Sequence, residues 1–391
     1  MSLHRHILMD CGLLPETPAI RLKGHWYDHF ERADAADNNR TKKLAESGAF
    51  GDVYRVSMMT SSPSTLSRDG KTTYALKLFR NNLSKKDLAR LKMLLSLTAE
   101  YTAITSDNDS DNDNDNNSDA TTVKSAEKWP ATLVQYLRLY KFDAAPKNAL
   151  LMNFIDGQSL QTLIAEQRQA TQPQWLCWMR DVAEALAFLH RNNFTHRDIH
   201  SGNIVVSRDG RRAHLVDLDL MCAPLMTNKD CQTLCRDVAA AASTAPDIWC
   251  QQDAAAALPE QYFASDIWAL AATFLSYSYQ IKGIMAAKLP YTQRNETLCK
   301  PIAAQKISAV VRSLISFGNV AQQPQVKKLF AQMLSADWRQ RPTIEAILQQ
   351  LPADCAEKRE KFVLPTSGEE LRKRFSQDKE NVDRQQEPIY L

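Results

Sequence analysis

The stretch THRDIHSGNIVV concentrates ionisable and amide side chains immediately before an apolar run that is typical of a strand. It contains His196, Arg197, Asp198, His200 and Asn203. Two interpretations are open: a polar turn, or a loop that performs phosphoryl transfer, a reaction that depends on positioned charges and metal ligands. The sequence before and after the stretch is needed to distinguish these two interpretations.

The composition is that of a globular chain. The 391 residues are 44% hydrophobic and 24% charged, and they suffice for one large bilobal domain or two ordinary ones. No apolar run approaches the roughly 18 residues that cross a bilayer, and the N-terminus lacks the uninterrupted apolar core of a secretory signal. We therefore predict a cytoplasmic protein without a transmembrane segment. The net charge of +3 is too close to neutral to favour a nucleic-acid partner.

The eight cysteines form no CxxC pair. Cys231 and Cys235 lie close together, but no matching second pair accompanies them. Neither a zinc site nor a disulfide framework is predicted, and the expectation is free thiols.

Patterns typical of strands come first along the chain, and patterns typical of helices come later. GDVYRVSMM, TTYALKLFR, ATLVQYLRLYKF and NALLMNFI resemble strands, whereas the run after Ser84 has helical apolar spacing, with Ser84 as the N-cap. QWLCWMRDVAEALAFLHRNN predicts a long amphipathic helix that leads into the opening stretch. Residues 106–119 contain six Asp and no apolar residue, so they are predicted to be a disordered insertion.

The order of the motifs over residues 44–351 resembles that of eukaryotic-type protein kinases. ESGAFGDV is similar to the glycine-rich loop, with Gly48 and Gly51 in place and Glu46 where the first glycine would stand. YALKLF is similar to the strand that carries the nucleotide-binding lysine, here Lys77, and LLMNFIDG is similar to the strand and hinge between the lobes. HRDIHSGN resembles the catalytic loop HRDxxxxN, and LVDLDL resembles the segment that contains DFG.

The resemblance implies an ATP site between two lobes. Lys77 would contact the α- and β-phosphates and pair with a helix carboxylate, for which we predict Glu100, because Asp87 lies too near the start of the helix. The glycine-rich loop, the hinge and apolar side chains around the adenine complete the predicted nucleotide site: Gly48, Gly51, Val53, Ala75, Met152, Asn153, Ile155 and Val205.

The resemblance also implies the catalytic residues. Asp198 would accept or orient the proton of the acceptor hydroxyl, and Asn203 and Asp217 would hold Mg²⁺. Arg197 would organise the activation segment, and His196 would be a packing residue.

Three positions depart from the pattern of protein Ser/Thr kinases. His200 stands where those kinases have lysine, and Leu218 and Asp219 replace the Phe and Gly of DFG. The HxGN and DLD sequences are similar to loops of small-molecule and lipopolysaccharide sugar kinases, which are the main alternative. A pseudokinase scaffold is the non-enzymatic alternative, disfavoured because the expected lysine, aspartates and asparagine are all present.

Motifs in the last third of the chain favour a protein substrate. SDIWALA is similar to a core helix of protein kinases, in which Asp266 would secure the catalytic-loop backbone. DWRQRPTIEAIL is similar to the closing motif, in which Arg341 pairs with a carboxylate at the end of the activation segment. We predict Asp247 for that carboxylate, with Glu260 as the alternative. Small-molecule kinases generally lack both motifs, so we predict transfer of the γ-phosphoryl group of ATP to protein hydroxyls, on Ser/Thr rather than Tyr.

The predicted fold is α+β and bilobal, with a small β-rich N-lobe and a larger helical C-lobe. An extension (1–40) precedes the kinase-like domain, whose lobes are 41–155 and 156–351, and a charged tail (352–391) follows. The tail ends in EPIYL, which is similar to the tyrosine-phosphorylation motifs of bacterial effectors. This likeness raises the hypotheses of a phosphotyrosine reader as partner and of delivery into host cells.

Overall fold

The computed structural model contains a six-stranded sheet with one long helix, and a predominantly helical region with a second, small sheet. It describes residues 19–25, 27, 30–32, 51–58, 72–107, 128–225, 235, 245–249, 257–278 and 324–355. Glu46, Gly48, most of the Asp/Asn tract and the EPIYL tail lie outside these residues. The α+β, two-lobed architecture predicted from the sequence is confirmed. None of the described helices combines the length and apolar character needed to cross a membrane.

The large sheet includes residues that were assigned to the N-terminal extension. Its strands are β1 (Ile20–Leu22), β2 (Glu31–Arg32), β3 (Gly51–Met58), β4 (Thr72–Phe79), β5 (Tyr136–Phe142) and β6 (Asn148–Asn153). Their order is β1-β5-β6-β4-β3-β2, and neighbours are antiparallel except β1 and β5. The sheet therefore begins N-terminal to the boundary predicted at residue 40. The sequence pattern did not indicate β1 and β2, because strands of two or three residues are too short to show a period.

Alternation along β4 directs Lys77 to the inner face of this sheet. Leu76 and Leu78 pack into a hydrophobic cluster on one face. Ala75 and Phe79 belong to the main core on the opposite face. Because successive side chains of a strand point to opposite faces, Lys77 points to the same side as Ala75 and Phe79.

Helix α1 (Lys85–Asp107) begins at a capping box. The Ser84 hydroxyl oxygen accepts a hydrogen bond from the Asp87 N–H at 3.1 Å, and Asp87 Oδ2 accepts one from the Ser84 N–H, also at 3.1 Å. The predicted N-cap is therefore confirmed. The helix continues to Asp107, so the first two residues of the predicted insertion, 106–119, are helical.

The second region is built on two buried helices. Its elements are β7 (Gly157–Ser159), α2 (Leu160–Ala165), α3 (Gln172–Arg191), β8 (Ile204–Ser207), β9 (Ala213–Leu215), α4 (Pro246–Trp249), α5 (Pro259–Ser278), α6 (Pro324–Met333) and α7 (Ile344–Gln350). Trp175 of α3 stacks on Phe274 of α5 with ring centroids 6.3 Å apart, and both side chains are fully buried. After α3 the chain turns at Asn193, whose φ of 65° is left-handed, and enters the opening stretch.

Two disulfides correct the prediction of free thiols for four cysteines. Cys177 of α3 is bonded to Cys355, with Cα atoms 5.5 Å apart, and Cys222 is bonded to Cys235, with Cα atoms 5.3 Å apart. Both separations lie within the usual range for disulfides. The first pair spans 178 residues of sequence, so only the tertiary fold brings its cysteines together.

Replacing Cys355 with serine is expected to lower the free energy of unfolding of the oxidised protein by roughly 2–5 kcal/mol, because the crosslink closes a long loop in the unfolded chain. Urea unfolding of the wild type and the variant, each with and without reductant, measures the difference. Reductant should affect the wild type more than the variant. Non-reducing peptide mapping that finds Cys355 only as a free thiol would contradict the assignment.

Candidate active site

The backbone of the opening stretch is fixed by one buried carboxylate on α5. Asp266 accepts hydrogen bonds from the N–H groups of His196 and Arg197, each at 2.8 Å. Arg197 has a φ of 68°, a left-handed conformation that is unfavourable for a residue with a side chain. The two bonds from Asp266 stabilise this turn, and the predicted role of Asp266 is confirmed.

His196 is fully buried, and its ring bonds to the backbone of two segments of the site. Its Nδ1 accepts from the Asp198 N–H at 3.2 Å, so in the neutral ring Nε2 carries the proton and donates to the Val216 carbonyl oxygen at 3.2 Å. Burial lowers the pKa of His196 below its ordinary value and favours this neutral form. The ring therefore ties the loop to the segment that carries Asp217, as expected of a packing residue.

Asp198 and Asn203 are joined by two hydrogen bonds. Asn203 Nδ2 donates to the backbone oxygen and to the side-chain Oδ2 of Asp198, both at 2.9 Å. The other carboxylate oxygen, Asp198 Oδ1, is buried and has no hydrogen-bond partner within the described part of the chain. Because a buried acceptor without a partner is costly, Oδ1 is suited to a donor that arrives with a substrate. Both bonds of the Asn203 amide use its nitrogen, which leaves its oxygen available to a cation.

His200 faces the same carboxylate from the other side. Its Nδ1 accepts from the Gly202 N–H at 3.0 Å, so Nε2 is the protonated nitrogen of the neutral ring. Nε2 lies 3.7 Å from Asp198 Oδ2. Burial disfavours a charge on His200, but Asp198 outweighs this effect and raises the pKa of the imidazole. The cationic form therefore places a positive charge beside Asp198.

Lys77 meets the predicted metal ligand directly. Its Nζ donates to both oxygens of Asp217, at 2.9 and 2.8 Å, and to Oδ2 of Asp219, at 2.8 Å. Burial opposes the charges of Lys77 and Asp217, but their mutual attraction prevails, raising the pKa of Lys77 and lowering that of Asp217. Burial and the neighbouring Asp217 raise the pKa of Asp219 to about 6.

Tyr136 of β5 is a site residue that sequence reasoning missed. Its hydroxyl donates to Asp219 Oδ1 at 3.0 Å and accepts from the Leu218 N–H at 2.8 Å. Leu218, which stands in place of the Phe of DFG, is fully buried in the main core. Tyr136 has no local signal, because an aromatic residue in an alternating strand is usually a core residue.

Three of the predicted adenine-binding residues, Val53, Ala75 and Met152, lie on adjacent strands of the large sheet. Val53 of β3 pairs with Lys77, and Ala75 of β4 pairs with Met152 of β6. Val205 lies on β8, in the second sheet, and its side chain is half-buried.

Of the predicted hinge residues, Asn153 is already hydrogen-bonded. Its N–H donates to the Gln135 carbonyl oxygen at 3.2 Å, and its side-chain oxygen accepts from the Gln135 N–H at 2.7 Å. Ile155, two residues later, is half-buried. A hinge N–H that binds adenine would therefore have to come from a residue after Asn153.

Gly51 is required by the close approach of β3 and β4. A Cβ at this position would lie 2.3 Å from the Leu78 carbonyl oxygen, which excludes any larger residue without movement of the backbone. Glu100 lies within α1, but its side chain lies outside the described atoms. The phosphate-binding role of Gly51 and the pairing of Glu100 with Lys77 stay predictions.

The predicted ion pair of Arg341 is present. Its Nη2 donates to Asp247 Oδ1, and its other nitrogens donate to the carbonyl oxygens of Ser335, at 3.0 Å, and Ala264, at 3.2 Å. The guanidinium also lies over the Trp268 ring, 5.1 Å from its centroid. The partner is thus Asp247 of α4, as predicted from the sequence.

The sequence region that contains most of these site residues matches known protein kinases. A sequence model of the protein kinase domain matches residues 104–351, which is more than half of the chain. The serine/threonine-protein kinase cot-1 of Neurospora crassa is 26% identical over 197 residues, which cover 50% of this chain and 26% of the relative. The serine/threonine-protein kinase pak-2 of Caenorhabditis elegans is 41% identical over 61 residues, or 16% of this chain and 12% of the relative. The chain therefore spans about a quarter or less of the length of these curated relatives.

The matched region contains the residues predicted for the catalytic loop and the Arg341–Asp247 pair, and the fold brings Lys77 to it from outside the match. The sequence match, the two-lobed architecture and the geometry of the site all indicate the same family. The chain belongs to the protein kinase domain family.

Proposed function

We propose that this chain is an ATP- and Mg²⁺-dependent protein kinase that transfers the γ-phosphoryl group of ATP to protein hydroxyls, on serine or threonine. The observation that carries the proposal is the state of Asp198. One of its oxygens is fixed by Asn203, and the other is buried without a partner in the described structure. A carboxylate prepared in this way can accept a hydrogen bond, and then a proton, from an acceptor hydroxyl.

The residues near Asp198 fit a magnesium ion. The Asn203 amide oxygen and the Asp217 carboxylate are hard oxygen ligands of the kind that Mg²⁺ prefers, and the Val216 N–H bonds to the Asn203 carbonyl oxygen at 2.9 Å, which ties the two segments together. When bound, the ion would neutralise charge on the phosphates. Lys77 supplies a second positive charge, held on the same side of the site by β4. Positioning and charge neutralisation are what phosphoryl transfer requires of a protein.

A protein acceptor is favoured by the Arg341–Asp247 pair. This pair joins α4, at the predicted end of the activation segment, to the helical region, and Arg341 also bonds to the α5 backbone at Ala264. A segment fixed in this way supports the proposal that a protein acceptor binds beside it. His200 and Asp219 favour the second candidate, a small-molecule or sugar kinase, because both departures resemble loops of such enzymes.

Radiolabelled ATP with Mg²⁺ distinguishes the candidates when the chain is offered generic protein acceptors and, separately, a panel of sugars. We expect label in the protein acceptors and in the chain itself. Label in a sugar and in no protein would support the second candidate, and no transfer to any acceptor would support a pseudokinase. Binding of a phosphotyrosine reader to the EPIYL tail and delivery into host cells stay hypotheses drawn from the sequence.

A further inference from the structure

Within the part of the chain that the structure describes, the ammonium group of Lys77 finds its partners without a carboxylate from α1. An ammonium has three N–H donors, and Lys77 Nζ makes three hydrogen bonds to carboxylate oxygens, two to Asp217 and one to Asp219. The Lys77 side chain is 5% exposed, so its charge depends on these partners. Of the two, Asp217 is the predicted magnesium ligand, whereas Asp219 stands where the family has glycine.

Asp219 is itself held in place by the sheet. The buried hydroxyl of Tyr136 on β5 donates to its Oδ1, while its Oδ2 accepts from Lys77. The same hydroxyl accepts from the Leu218 N–H, so its orientation is fixed from both sides. Burial is the main cause that raises the pKa of Tyr136 well above its usual range, and the negative charge of Asp219 adds to it. The phenol therefore keeps its proton and donates it in the hydrogen bond to Asp219. Lys77, Asp219 and Tyr136 thus form a chain of contacts between β4, the DLD turn and β5.

Helix α1 contributes a single carboxylate, Asp87, among the side chains that the structure describes. Its sequence has no acidic residue between Asp87 and Glu100, and Leu91, Leu94 and Leu95 in this interval are buried. Asp87 is engaged at the helix start with Ser84. Directly after Glu100, Tyr101 turns to α3, where its ring packs on Phe188 with centroids 4.8 Å apart.

We propose that Asp219, positioned by Tyr136, is the permanent counter-ion of Lys77 and takes the place of the helix carboxylate expected in a protein kinase. The inference rests on the proposed function for its meaning, since it concerns how Lys77 is held for the phosphates. When Asp217 engages a metal ion, Lys77 keeps Asp219 and stays in position. The orientation of Lys77 is then independent of the position of α1.

The test compares Asp219→Asn, Tyr136→Phe and Glu100→Gln with wild type, and uses Asp143→Asn as the control. Asp143 is an exposed carboxylate between β5 and β6, away from the cluster. Three quantities are measured on the full chain: the Kd of a fluorescent ATP analogue with Mg²⁺, the Mg²⁺ concentration for half-maximal binding, and the acylation rate of Lys77 by an amine reagent, followed by mass spectrometry. None of the three needs phosphoryl transfer, so the inference can be tested even if the proposed function fails.

In Asp219→Asn, Asp217 is the one ionised partner that Lys77 keeps among the described residues, and Lys77 competes with the metal for it. We expect the Kd for the nucleotide and the half-maximal Mg²⁺ concentration each to rise about fivefold or more, and Lys77 to be acylated faster. Tyr136→Phe should change all three in the same direction by a smaller factor, and it serves as the test if Asp219→Asn does not fold. Wild-type values in both variants, or a change in Glu100→Gln that equals that in Asp219→Asn, would overturn the inference.

Discussion

Asp198→Asn is expected to lower the rate of phosphoryl transfer by about 10²–10⁴-fold, the usual contribution of a positioned general base. The amide is nearly isosteric, and its oxygen can still accept the bond from Asn203, so the loop should keep its shape. What is lost is the ability to take a proton at the buried oxygen that has no partner among the described residues. Initial rates with saturating ATP and a protein acceptor measure the effect.

Binding of ATP should be almost unaffected by this substitution, because Asp198 addresses the acceptor and not the nucleotide. The control is Asp209→Asn, which neutralises an exposed carboxylate in the turn after β8 and should keep the wild-type rate. A purified, folded Asp198→Asn protein that transfers phosphate at the wild-type rate would show that the HRDIHSGN loop is not the catalytic loop.

Arg341→Ala is expected to lower the free energy of unfolding by roughly 3–5 kcal/mol, because it leaves a partly buried carboxylate without its partner. The Arg341 side chain is fully buried, and Asp247 is only 13% exposed. The substitution also removes hydrogen bonds to Ser335 and Ala264 and the contact with Trp268. Transferase activity should fall together with stability, although Arg341 addresses neither the phosphates nor the acceptor.

A double-mutant cycle separates the ion pair from the other contacts. Arg341→Ala and Asp247→Ala should each be destabilising, and the double variant should be less destabilised than the sum of the two. Arg341→Lys should recover only part of the loss, because lysine cannot reproduce a planar group that serves several acceptors. Chemical denaturation of the wild type and these four variants gives their free energies of unfolding, and strictly additive losses in the alanine variants would argue against a coupled pair.

The sequence was most informative where a function depends on local spacing. The gap between Asp198 and Asn203 is set by a single loop, so the order of residue types predicted a pair that the fold joins directly. The Arg341–Asp247 pair is distant in sequence, yet the motifs around each partner were sufficient to predict it. Even there, the alternative Glu260 could be excluded only by the contact itself.

Other contacts could not be foreseen because they depend on tertiary distance alone. Tyr136 lies in an alternating strand like any core aromatic, and nothing in its neighbourhood indicates that its hydroxyl would reach Asp219. The Cys177–Cys355 bond likewise has no sequence motif. Asp219 was recognised as a departure from the family pattern, but its contact with Lys77 became visible only when β4 and the DLD turn were placed together.

The most direct test of the proposed protein kinase activity is the identity of the phosphorylated group. Wild-type chain and Asp198→Asn, each incubated with ATP, Mg²⁺ and a protein acceptor, can be compared by mass spectrometry of the digested products. We expect phosphoserine or phosphothreonine in the wild-type reaction and its near absence with Asp198→Asn. Phosphorylation of a sugar with no modified protein, or equal protein phosphorylation by the two chains, would contradict it.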